Sequence, residues 1–514
     1  MVLLPTSCAR REELKQHCIP FAPSGVQALV TQSNWTGTAI GLALCIAALP
    51  ACSKGQDSTN QPISNTASLG APVRVEWDGK LEKQLREAIA NAPANGLKPE
   101  LFLKGDGQDG AALSAAALKY AEALAHGYSD PKKLFEIYTL PRPSGDVRQG
   151  FIQAAQNGDL KSWFDSLVPQ TDEYKALSQA HLKFLRLASK TNFQAVPDGD
   201  PIKPGSHDKR LPALAAALVA TGYLQAPAQG AAPVRYSPQM IAAVKRLQGD
   251  FGLKTDGIVG GNTLSAVNLG PGGLARECAI AMERLRWLQR DPPKTRIDVN
   301  TAATILDYWR DGQHIDRREV VAGEPDKQTP QIQAPIVNLV AYPKWRVPDS
   351  IVDSEISKKG SGWLQENNFT MEDGRYVQAS GPKNSLGIVK FDMDDKQAIY
   401  LHDTPAKALF GLPERHRSHG CVRVQNAVAF ANALASEQGL QDQFQQAMAG
   451  QEEKFVKLKS PIPVRLMYQT AFWDGSRVQF RPDVYGWDDN VAAALGLVRG
   501  VTWAPVQQSG DIGP

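Results

Sequence analysis

The sequence predicts an α+β protein of several domains, with a helical first half and a β-rich second half. Apolar residues recur at helical spacing in the alanine-rich region before residue 290. After Pro292 and Pro293 the pattern changes to the alternation of strands, first in residues 296–300. The length of 514 residues favours about three domains, and an apolar fraction of 42% is sufficient for packed cores.

The first 52 residues have the pattern of an export leader. The run 36–51 is apolar but shorter than the roughly 20 residues of a membrane span. It ends in Leu49-Pro50-Ala51-Cys52, which resembles a bacterial lipobox, so Cys52 is the expected lipidation site and ordinary signal cleavage is the alternative. Both predict a periplasmic protein. A lipid on Cys52 would attach it to a membrane, and the absence of aspartate at Ser53 and Lys54 favours the outer one.

A tether and a helical region follow the leader. Residues 53–72 are rich in Ser, Asn, Gln and Gly and predict a tether. Residues 73–230 show helical spacings interrupted by turns such as Asn95-Gly96, which predicts a helical scaffold domain. This domain contains no catalytic motif, and we expect its isolated histidines to be structural.

Residues 231–270 carry a more specific pattern. An apolar helical face is followed by an Asp256-Gly257 turn, and Gly260 with Thr263 opens a second helix. This order resembles the small helical peptidoglycan-binding domain, which implies a glycan partner. An ordinary helical hairpin is the alternative reading of the same residues. Residues 271–294 then predict a connecting helix, in which Cys278 lies on an apolar stripe and is expected to pack in the core.

The residues most indicative of chemistry lie in 399–424. His402 closes a short apolar run, and Cys421 follows nineteen residues later in Ser418-His419-Gly420-Cys421. A thiol is a weak nucleophile at its ordinary pKa, and a nearby histidine is the usual base that activates it. Glycine before the cysteine lets the backbone approach a bound carbonyl, so amides near Cys421 could stabilise an oxyanion.

This motif resembles that of the L,D-transpeptidases, a histidine followed after a spacer by Ser/Thr-His-Gly-Cys. The resemblance implies Cys421 as nucleophile and His402 as its base, with His419 and Gly420 beside the oxyanion. Three further residues are candidates for contacts with the substrate or the oxyanion. They are Ser418 of the motif, Asn384 in a Gly-Pro-Lys-Asn-Ser-Leu-Gly segment that resembles one of the large subtype, and Arg423, which could bind a substrate carboxylate.

The catalytic domain is expected to span residues 295–490, followed by a tail over 491–514. Residues 343–375 lack clear periodicity although they hold two tryptophans. In the family a capping subdomain occupies this place over the substrate, so the resemblance implies a capping insertion here. An ordered surface insertion is the alternative.

The resemblance implies a reaction that forms cross-links between peptidoglycan stem peptides. The Cys421 thiolate would attack the carbonyl between the third and fourth residues of a stem tetrapeptide, and the terminal D-alanine would leave with a proton from His402. An amine of a neighbouring stem would then attack the thioester. No metal or organic cofactor is implied, and carbapenem-type β-lactams are expected to acylate the same thiol.

Three alternatives remain at this point. With water as acceptor, the same residues would make a carboxypeptidase or a hydrolase that releases wall-bound proteins. A zinc site formed by His402, His416, His419 and Cys421 matches no known zinc spacing. A non-catalytic wall-binding lipoprotein would keep the motif as a relic. The net charge of +3 on so long a chain predicts no nucleic-acid partner.

Overall fold

The computed structural model describes residues 75–105, 109–226, 235–503 and Gly513, all within the compact unit Pro62–Pro514. Cys52 and the predicted leader and tether lie outside these residues. No helix in the described part of the chain is long and apolar enough to cross a membrane. The first half is helical, with helices α1 Gly79–Ala90, α2 Gly110–His126, α3 Pro131–Leu134, α4 Val147–Gln156, α5 Leu160–Leu167, α6 Asp172–Lys190, α7 Leu211–Thr221, α8 Pro238–Asp250, α9 Gly261–Asn268 and α10 Gly270–Trp287.

The helices α1–α6 each begin at a polar residue that caps the first turn. Asp78 accepts a hydrogen bond from the Leu81 amide, and Thr171 accepts one from the Tyr174 amide. Aspartates cap α2 to α5 in the same way. Such caps satisfy amides that have no partner inside the helix, which is why these segments start where the sequence places Asp or Thr.

The second half is a β-rich domain, and this confirms the predicted change from helices to strands. Its strands and helices are β1 Arg296–Asn300, β2 Ile305–Arg310, β3 Gln313–Gly323, β4 Gln333–Ala341, β5 Trp345–Arg346, α11 Asp349–Ser354, α12 Ser361–Glu366, β6 Phe369–Glu372, β7 Arg375–Gln378, β8 Val389–Met393, β9 Leu401–His402, β10 His416–Ser418, β11 Val422–Val424, α13 Ala427–Glu437, α14 Gln441–Gly450, β12 Lys454–Met467, β13 Ala471–Trp473, β14 Val478–Phe480 and α15 Asp488–Ala494.

Nine of these strands form one sheet that closes into a barrel. Their order is β10-β3-β11-β9-β8-β4-β12-β1-β2, and the end strand β2 also pairs with β3, which closes the sheet. The interior is apolar, with Ile297, Val299, Leu401 and Val422 fully buried, and Phe430 of α13 belongs to the same core. Because alternate residues of a strand face opposite sides, the residues between these interior positions face outward.

Residues 343–378 form a small layer outside the barrel, which we call the cap; it contains the predicted insertion 343–375 and the rest of β7. Strands β5, β7 and β6 make a three-stranded sheet, and helices α11 and α12 complete the layer. Trp345, Ile356 and Phe369 build its own small core. This layer is thus ordered by a few packed apolar side chains, although its sequence shows no regular helical or strand periodicity.

The helical half contains two cores rather than one. Helices α1, α2, α4 and α5 share the first core, and α6 to α9 share the second. Helix α7, which the sequence analysis assigned to the scaffold domain, packs in the second core through Leu214 and Leu218. The connecting helix α10 contributes to both cores, with Trp287 in the first and Cys278 in the second. Cys278 is a free, fully buried cysteine.

Segments that follow the barrel complete both helical cores. Ala471 and Phe480 of the β13–β14 hairpin lie in the second core, where the Phe480 ring stacks on Phe251 at 5.2 Å between centroids. Val491 and Ala492 of α15 lie in the first core. The expectation of a tail beginning at residue 491 is therefore wrong, because these apolar side chains are buried against the scaffold helices.

Candidate active site

Strands β9 and β11 bring the predicted histidine and cysteine to one face of the barrel. The two strands are parallel neighbours, with Val422 opposite Leu401 and Arg423 opposite His402. Leu401 and Val422 point into the barrel core. The residues directly before and directly after Leu401 and Val422 therefore share the outer face. Those residues are His402 and Arg423, together with Tyr400 and Cys421, which directly precede the two strands.

The Cys421 thiol is buried, with 5% of the residue exposed. Its Sγ lies 3.8 Å from the Ala398 carbonyl oxygen and hydrogen-bonds with the Tyr400 side chain. Burial raises the pKa of the thiol to about 11, although hydrogen bonds with Tyr400 oppose the rise. The resting form near neutral pH is thus the thiol and not the thiolate that the sequence analysis expected, because desolvation outweighs the hydrogen bonds with Tyr400 and the positive charge of Lys390.

His402 is fully buried on the same face of the barrel. Burial lowers the pKa of the imidazole to about 3, and the positive charge of Arg423 lowers it further. Hydrogen bonds with the Asp403 and Leu386 backbones oppose this lowering of the pKa but do not offset it. A neutral imidazole can accept a proton, and catalytic hydrogen bonds are often long before substrate binds. The ring therefore has the protonation state of a general base.

Tyr400 is a site residue that the sequence analysis did not single out. Its ring centroid lies 5.7 Å from that of His402, and the Lys390 Nζ lies 4.4 Å from the centre of the tyrosine ring. Burial raises the pKa of the phenol well above its ordinary value, so the hydroxyl keeps its proton. The sequence does contain a signal for this residue. Tyr400 lies two residues before His402, and alternate residues of an extended strand share a face.

His419 is turned toward the cap. Its Nε2 contacts the Glu355 carboxylate and lies 2.6 Å from the Lys327 Nζ, which in turn contacts Glu355 at 3.0 Å. Burial alone would raise the pKa of Glu355, but hydrogen bonds from His419 and Lys327 outweigh it and lower the pKa. No hydrogen bond joins His419 to the thiol within the described chain. This residue ties the cap to the cysteine loop.

Ser418 and Gly420 shape the loop that carries the cysteine. The Ser418 hydroxyl donates to the Cys421 carbonyl at 2.5 Å and accepts from the Gly420 amide at 3.2 Å. The Thr329 hydroxyl donates to the Gly420 carbonyl at 2.8 Å. Gly420 has φ +114°, a conformation that favours glycine. Both residues thus fix the backbone that presents Cys421.

The remaining predicted substrate residues, Asn384 and Arg423, are 1% exposed. Asn384 closes its own turn: its Nδ2 donates to the carbonyls of Gln378 and Ala379, and its Oδ1 accepts from the Leu386 amide. Its polar atoms thereby hold the turn together, which is a structural role, and contact of Asn384 with substrate stays a prediction. Arg423 lies opposite His402 on β11, and binding of a substrate carboxylate by it stays a prediction.

The candidate zinc ligands do not converge. His416 places Nδ1 on the Glu414 carboxylate at 2.8 Å and Nε2 on the Thr301 carbonyl at 2.9 Å. Within the described residues, no group of three or more His, Cys, Asp or Glu side chains could hold a metal ion. The arrangement is that of a cysteine–histidine pair with an adjacent tyrosine, in a barrel fold.

Comparison with known families identifies the three parts of the chain. Residues 294–457 match the L,D-transpeptidase catalytic domain, YkuD. Residues 77–180 match the Scaffold domain, and residues 208–267 match the "Putative peptidoglycan binding domain". The last match includes α7, in agreement with its place in the second helical core. The chain thus contains a YkuD-type L,D-transpeptidase catalytic domain behind a helical region with a peptidoglycan-binding domain.

A curated protein of Haemophilus influenzae, named "Putative L,D-transpeptidase", is 30% identical over 223 residues. The alignment covers 38% of this chain and 45% of that protein, so it spans less than half of the relative. Among solved structures, the L,D-transpeptidase of Xylanimonas cellulosilytica is 16% identical, with 52% of this chain and 98% of that chain covered and a TM-score of 0.20. The L,D-transpeptidase of Mycobacterium smegmatis is 13% identical, with 34% and 58% covered and a TM-score of 0.21.

Proposed function

We propose that this protein forms cross-links between peptidoglycan stem peptides through a thioester on Cys421. The observation that carries the proposal is the shared outer face of β9 and β11, where the thiol, the Tyr400 hydroxyl and the neutral His402 imidazole lie together. This face belongs to the part of the chain that matches the L,D-transpeptidase catalytic domain.

The acylation step starts from the neutral pair. As Sγ forms a bond to the carbonyl carbon of the stem peptide, its proton passes to a ring nitrogen of His402. The tetrahedral intermediate collapses to the thioester, and the amine of the terminal D-alanine takes the proton from His402 as it leaves. The low pKa of His402 suits this second transfer, because an imidazolium formed in this buried site gives up its proton readily.

The deacylation step uses the same histidine in the opposite direction. An amine of a second stem gives its proton to His402 and attacks the thioester carbonyl. The amide forms, the carbon–sulfur bond breaks, and Sγ takes the proton back. Atoms and charges balance without a metal or an organic cofactor. His402 takes up one proton and releases it again within each half-reaction, as expected for a single acid–base group.

The Cys421 amide is the donor that we assign to the oxyanion. The Gly420 amide already donates to Ser418 Oγ, whereas the Cys421 amide donates to no acceptor within the described chain. A backbone amide next to the nucleophile stands close to the developing charge. Gly420 contributes its conformation, which orients that amide, and His419 contributes through its contact with the cap at Glu355.

Transfer to water instead of an amine would make the protein a carboxypeptidase or a wall-protein hydrolase with the same residues. The test is mass spectrometry of the protein incubated with disaccharide tetrapeptide, with Cys421→Ala alongside. A dimer that has lost one D-alanine, absent with the variant, is the expected product. Tripeptide alone would replace the transferase assignment with hydrolysis. Unchanged substrate under both conditions would remove the enzymatic proposal and leave a wall-binding protein.

The proposed substrates place the protein in the periplasm. The lipobox-like Leu49-Pro50-Ala51-Cys52 further supports a lipid on Cys52 and attachment to the outer membrane. Labelling of the expressed protein with a palmitate analogue tests this directly. Label that is lost in Cys52→Ala supports the anchor, and absence of label in the parent protein excludes it. Acylation of Cys421 by a carbapenem, seen as a mass increase, tests the reactivity of the thiol independently.

A further inference from the structure

A large cleft separates the scaffold helices from the outside of the barrel. Its volume is about 1180 Å³, and it is bounded by the α4–α6 region on one side and by β1, β2 and β13 on the other. Trp163 lines it from the scaffold side, and Trp309 and Trp473 line it from the barrel side. None of the residues proposed for catalysis faces this cleft, so it is a separate feature of the molecule.

The tryptophans of this cleft are half-buried, unlike Trp287 and Trp345, which are fully enclosed in cores. Trp473 ends β13 and stacks on no other ring among the described residues. Large aromatic side chains with one surface in a cleft supply contact area for a ligand that has flat apolar faces. Sugar rings have such faces, formed by their axial C–H groups.

The charged groups of the cleft largely neutralise one another. Asp298 accepts from Arg296 at 2.8 Å and from Arg465 at 2.6 Å. Asp307 accepts from His314 and Arg317, which lie at 2.6 and 2.7 Å. The cleft is lined by six Asp or Glu residues and four Arg residues. Nucleic acids and other polyanions need an excess of positive charge, which this lining does not offer. Its polar groups suit an uncharged ligand with many hydroxyl and amide groups.

Glu173 is an acidic side chain on the scaffold side of the cleft. It accepts one hydrogen bond, from the Trp473 amide at 3.4 Å, and burial raises its pKa to about 7. A carboxyl group in this state can accept or donate a hydrogen bond to a hydroxyl group. Its position beside Trp473 combines a polar partner with an aromatic surface.

A second cleft continues the first toward the catalytic loop. It lies between the peptidoglycan-binding helices and the barrel and also measures about 1180 Å³. Both clefts are lined by Ala303 and Ile305, so they meet at the turn between β1 and β2. The second cleft reaches Arg417, the residue before Ser418. Sites for single small molecules measure about 300–1000 Å³, so two adjoining clefts of this size fit an extended polymer better.

We propose that the scaffold–barrel cleft binds the glycan strand of peptidoglycan, with N-acetylated amino sugars packed on Trp473, Trp309 and Trp163. The identity of this polymer rests on the proposed function. The strand would continue along the second cleft, which brings its stem peptides toward the loop that carries Cys421. The scaffold domain thereby acquires a role in substrate binding, in addition to its packing against the barrel.

The test measures binding of peptide-free glycan strands and of an N-acetylglucosamine hexamer to the full protein carrying Cys421→Ala. Trp473→Ala removes an aromatic surface, and Ser166→Arg adds bulk at an exposed position of the cleft without removing a packed side chain. Trp77→Ala is the matched control, since Trp77 is a half-buried scaffold tryptophan outside the cleft. We expect Trp473→Ala and Ser166→Arg to weaken the affinity about 5- to 10-fold, and Trp77→Ala to leave it unchanged.

Turnover of soluble disaccharide tetrapeptide, measured with Cys421 present, separates the two proposals. It is expected to be the same in Ser166→Arg and in the parent protein, because Ser166 is an exposed position that contributes no packed side chain and a short substrate does not need the whole cleft. Equal glycan affinity in all variants would overturn the cleft proposal while leaving cross-linking intact. Binding that requires stem peptides and is lost with peptide-free strands would also overturn it. Glycan binding without any turnover would instead support the cleft and refute the enzymatic proposal.

Discussion

The side chains of Tyr400 and Cys421 are hydrogen-bond partners on the outer face of the barrel, each one residue ahead of a parallel strand. The partnership follows from the register of β9 and β11, which sets Val422 opposite Leu401. A phenol that keeps its own proton can stabilise a developing thiolate by donating to it. Tyr400 is therefore the group that moderates the effect of burial on the nucleophile.

Replacement of this tyrosine tests that role. Tyr400→Phe keeps the ring and removes the hydroxyl, and a hydrogen bond to a charged group contributes about 1.5–3 kcal/mol. We expect acylation of Cys421 by a carbapenem, followed by intact-protein mass, to slow about 10- to 100-fold. Tyr128→Phe, in the scaffold region, is the control and should react like the parent. Equal rates in Tyr400→Phe would show that the hydroxyl does not support the thiolate.

The raised pKa of Cys421 makes a prediction about its alkylation. Alkylation by iodoacetamide requires the thiolate, and burial raises the thiol pKa from 9.0 to about 11. The rate at Cys421 should therefore continue to rise up to about pH 11, without a plateau near neutrality. Peptide-resolved mass spectrometry measures it, with fully buried Cys278 as an internal control that should stay unmodified. A plateau at or below pH 7 would indicate a preformed thiolate and contradict the neutral resting pair.

The conformation of Gly420 predicts the effect of adding a side chain there. A Cβ at Gly420 would meet its nearest neighbour at 3.7 Å, an ordinary contact, so any effect must come from its φ of +114°. Such a conformation costs a non-glycine residue about 1–3 kcal/mol. We expect Gly420→Ala to slow acylation by displacing the Cys421 amide, although the fold is kept. Gly411→Ala, where a Cβ has open space, should be neutral. Normal acylation of Gly420→Ala would argue against a fixed amide.

The contact of Glu355 with His419 and Lys327 is expected to hold the cap against the cysteine loop. Glu355→Gln removes the carboxylate charge that holds both partners, so the cap should open more often. Hydrogen exchange of amides in residues 349–366 should become faster, while that of β4 and β12 in the barrel stays slow. Asp353→Asn, a neighbouring cap substitution, is the matched control. Exchange that is identical in both variants would mean that the cap is held by its aromatic core alone.

Glu283 links the connecting helix to the scaffold domain. It is fully buried and accepts hydrogen bonds from the Ser129 amide and hydroxyl, both at 2.7 Å, and from Arg286 at 2.6 Å. Glu283→Gln should cost about 3–5 kcal/mol, since it leaves a buried arginine without its counter-charge. Thermal unfolding should show a loss of several degrees. Glu82→Gln, in a half-buried helical pair with Arg86 at the surface, should change the midpoint little.

The sequence predicted the elements whose signals are local. The alternation in 296–300 corresponds to β1, and the helical faces before Pro292 correspond to observed helices. The pairing of Cys421 with His402 on one face was predictable because the motif carries both residues. What escaped prediction depends on contacts between distant segments: the place of α7 in the second core and the burial of Val491 in the first.

The protonation states at the site could not be derived from spacing. Cys421 with a nearby histidine suggested a thiolate, but the pKa of each group depends on how deeply the barrel and cap bury it. Asn384 likewise has the residue type of a substrate contact, and only its three hydrogen bonds reveal a structural role. Residue type indicated the chemistry, whereas packing decided which polar atoms remain available for it.

The packing of late segments into early helices has a consequence for how the chain acquires its structure. The Phe251 ring stacks on the Phe480 ring, and Arg276 forms an ion pair with Asp489, which lies 213 residues later in the sequence. Contacts that join such distant positions form slowly, because a long loop must close before they stabilise anything. During synthesis, therefore, the scaffold and peptidoglycan-binding helices would leave the ribosome with part of their apolar surface uncovered. They would depend on chaperones until the barrel and the segments after it have emerged.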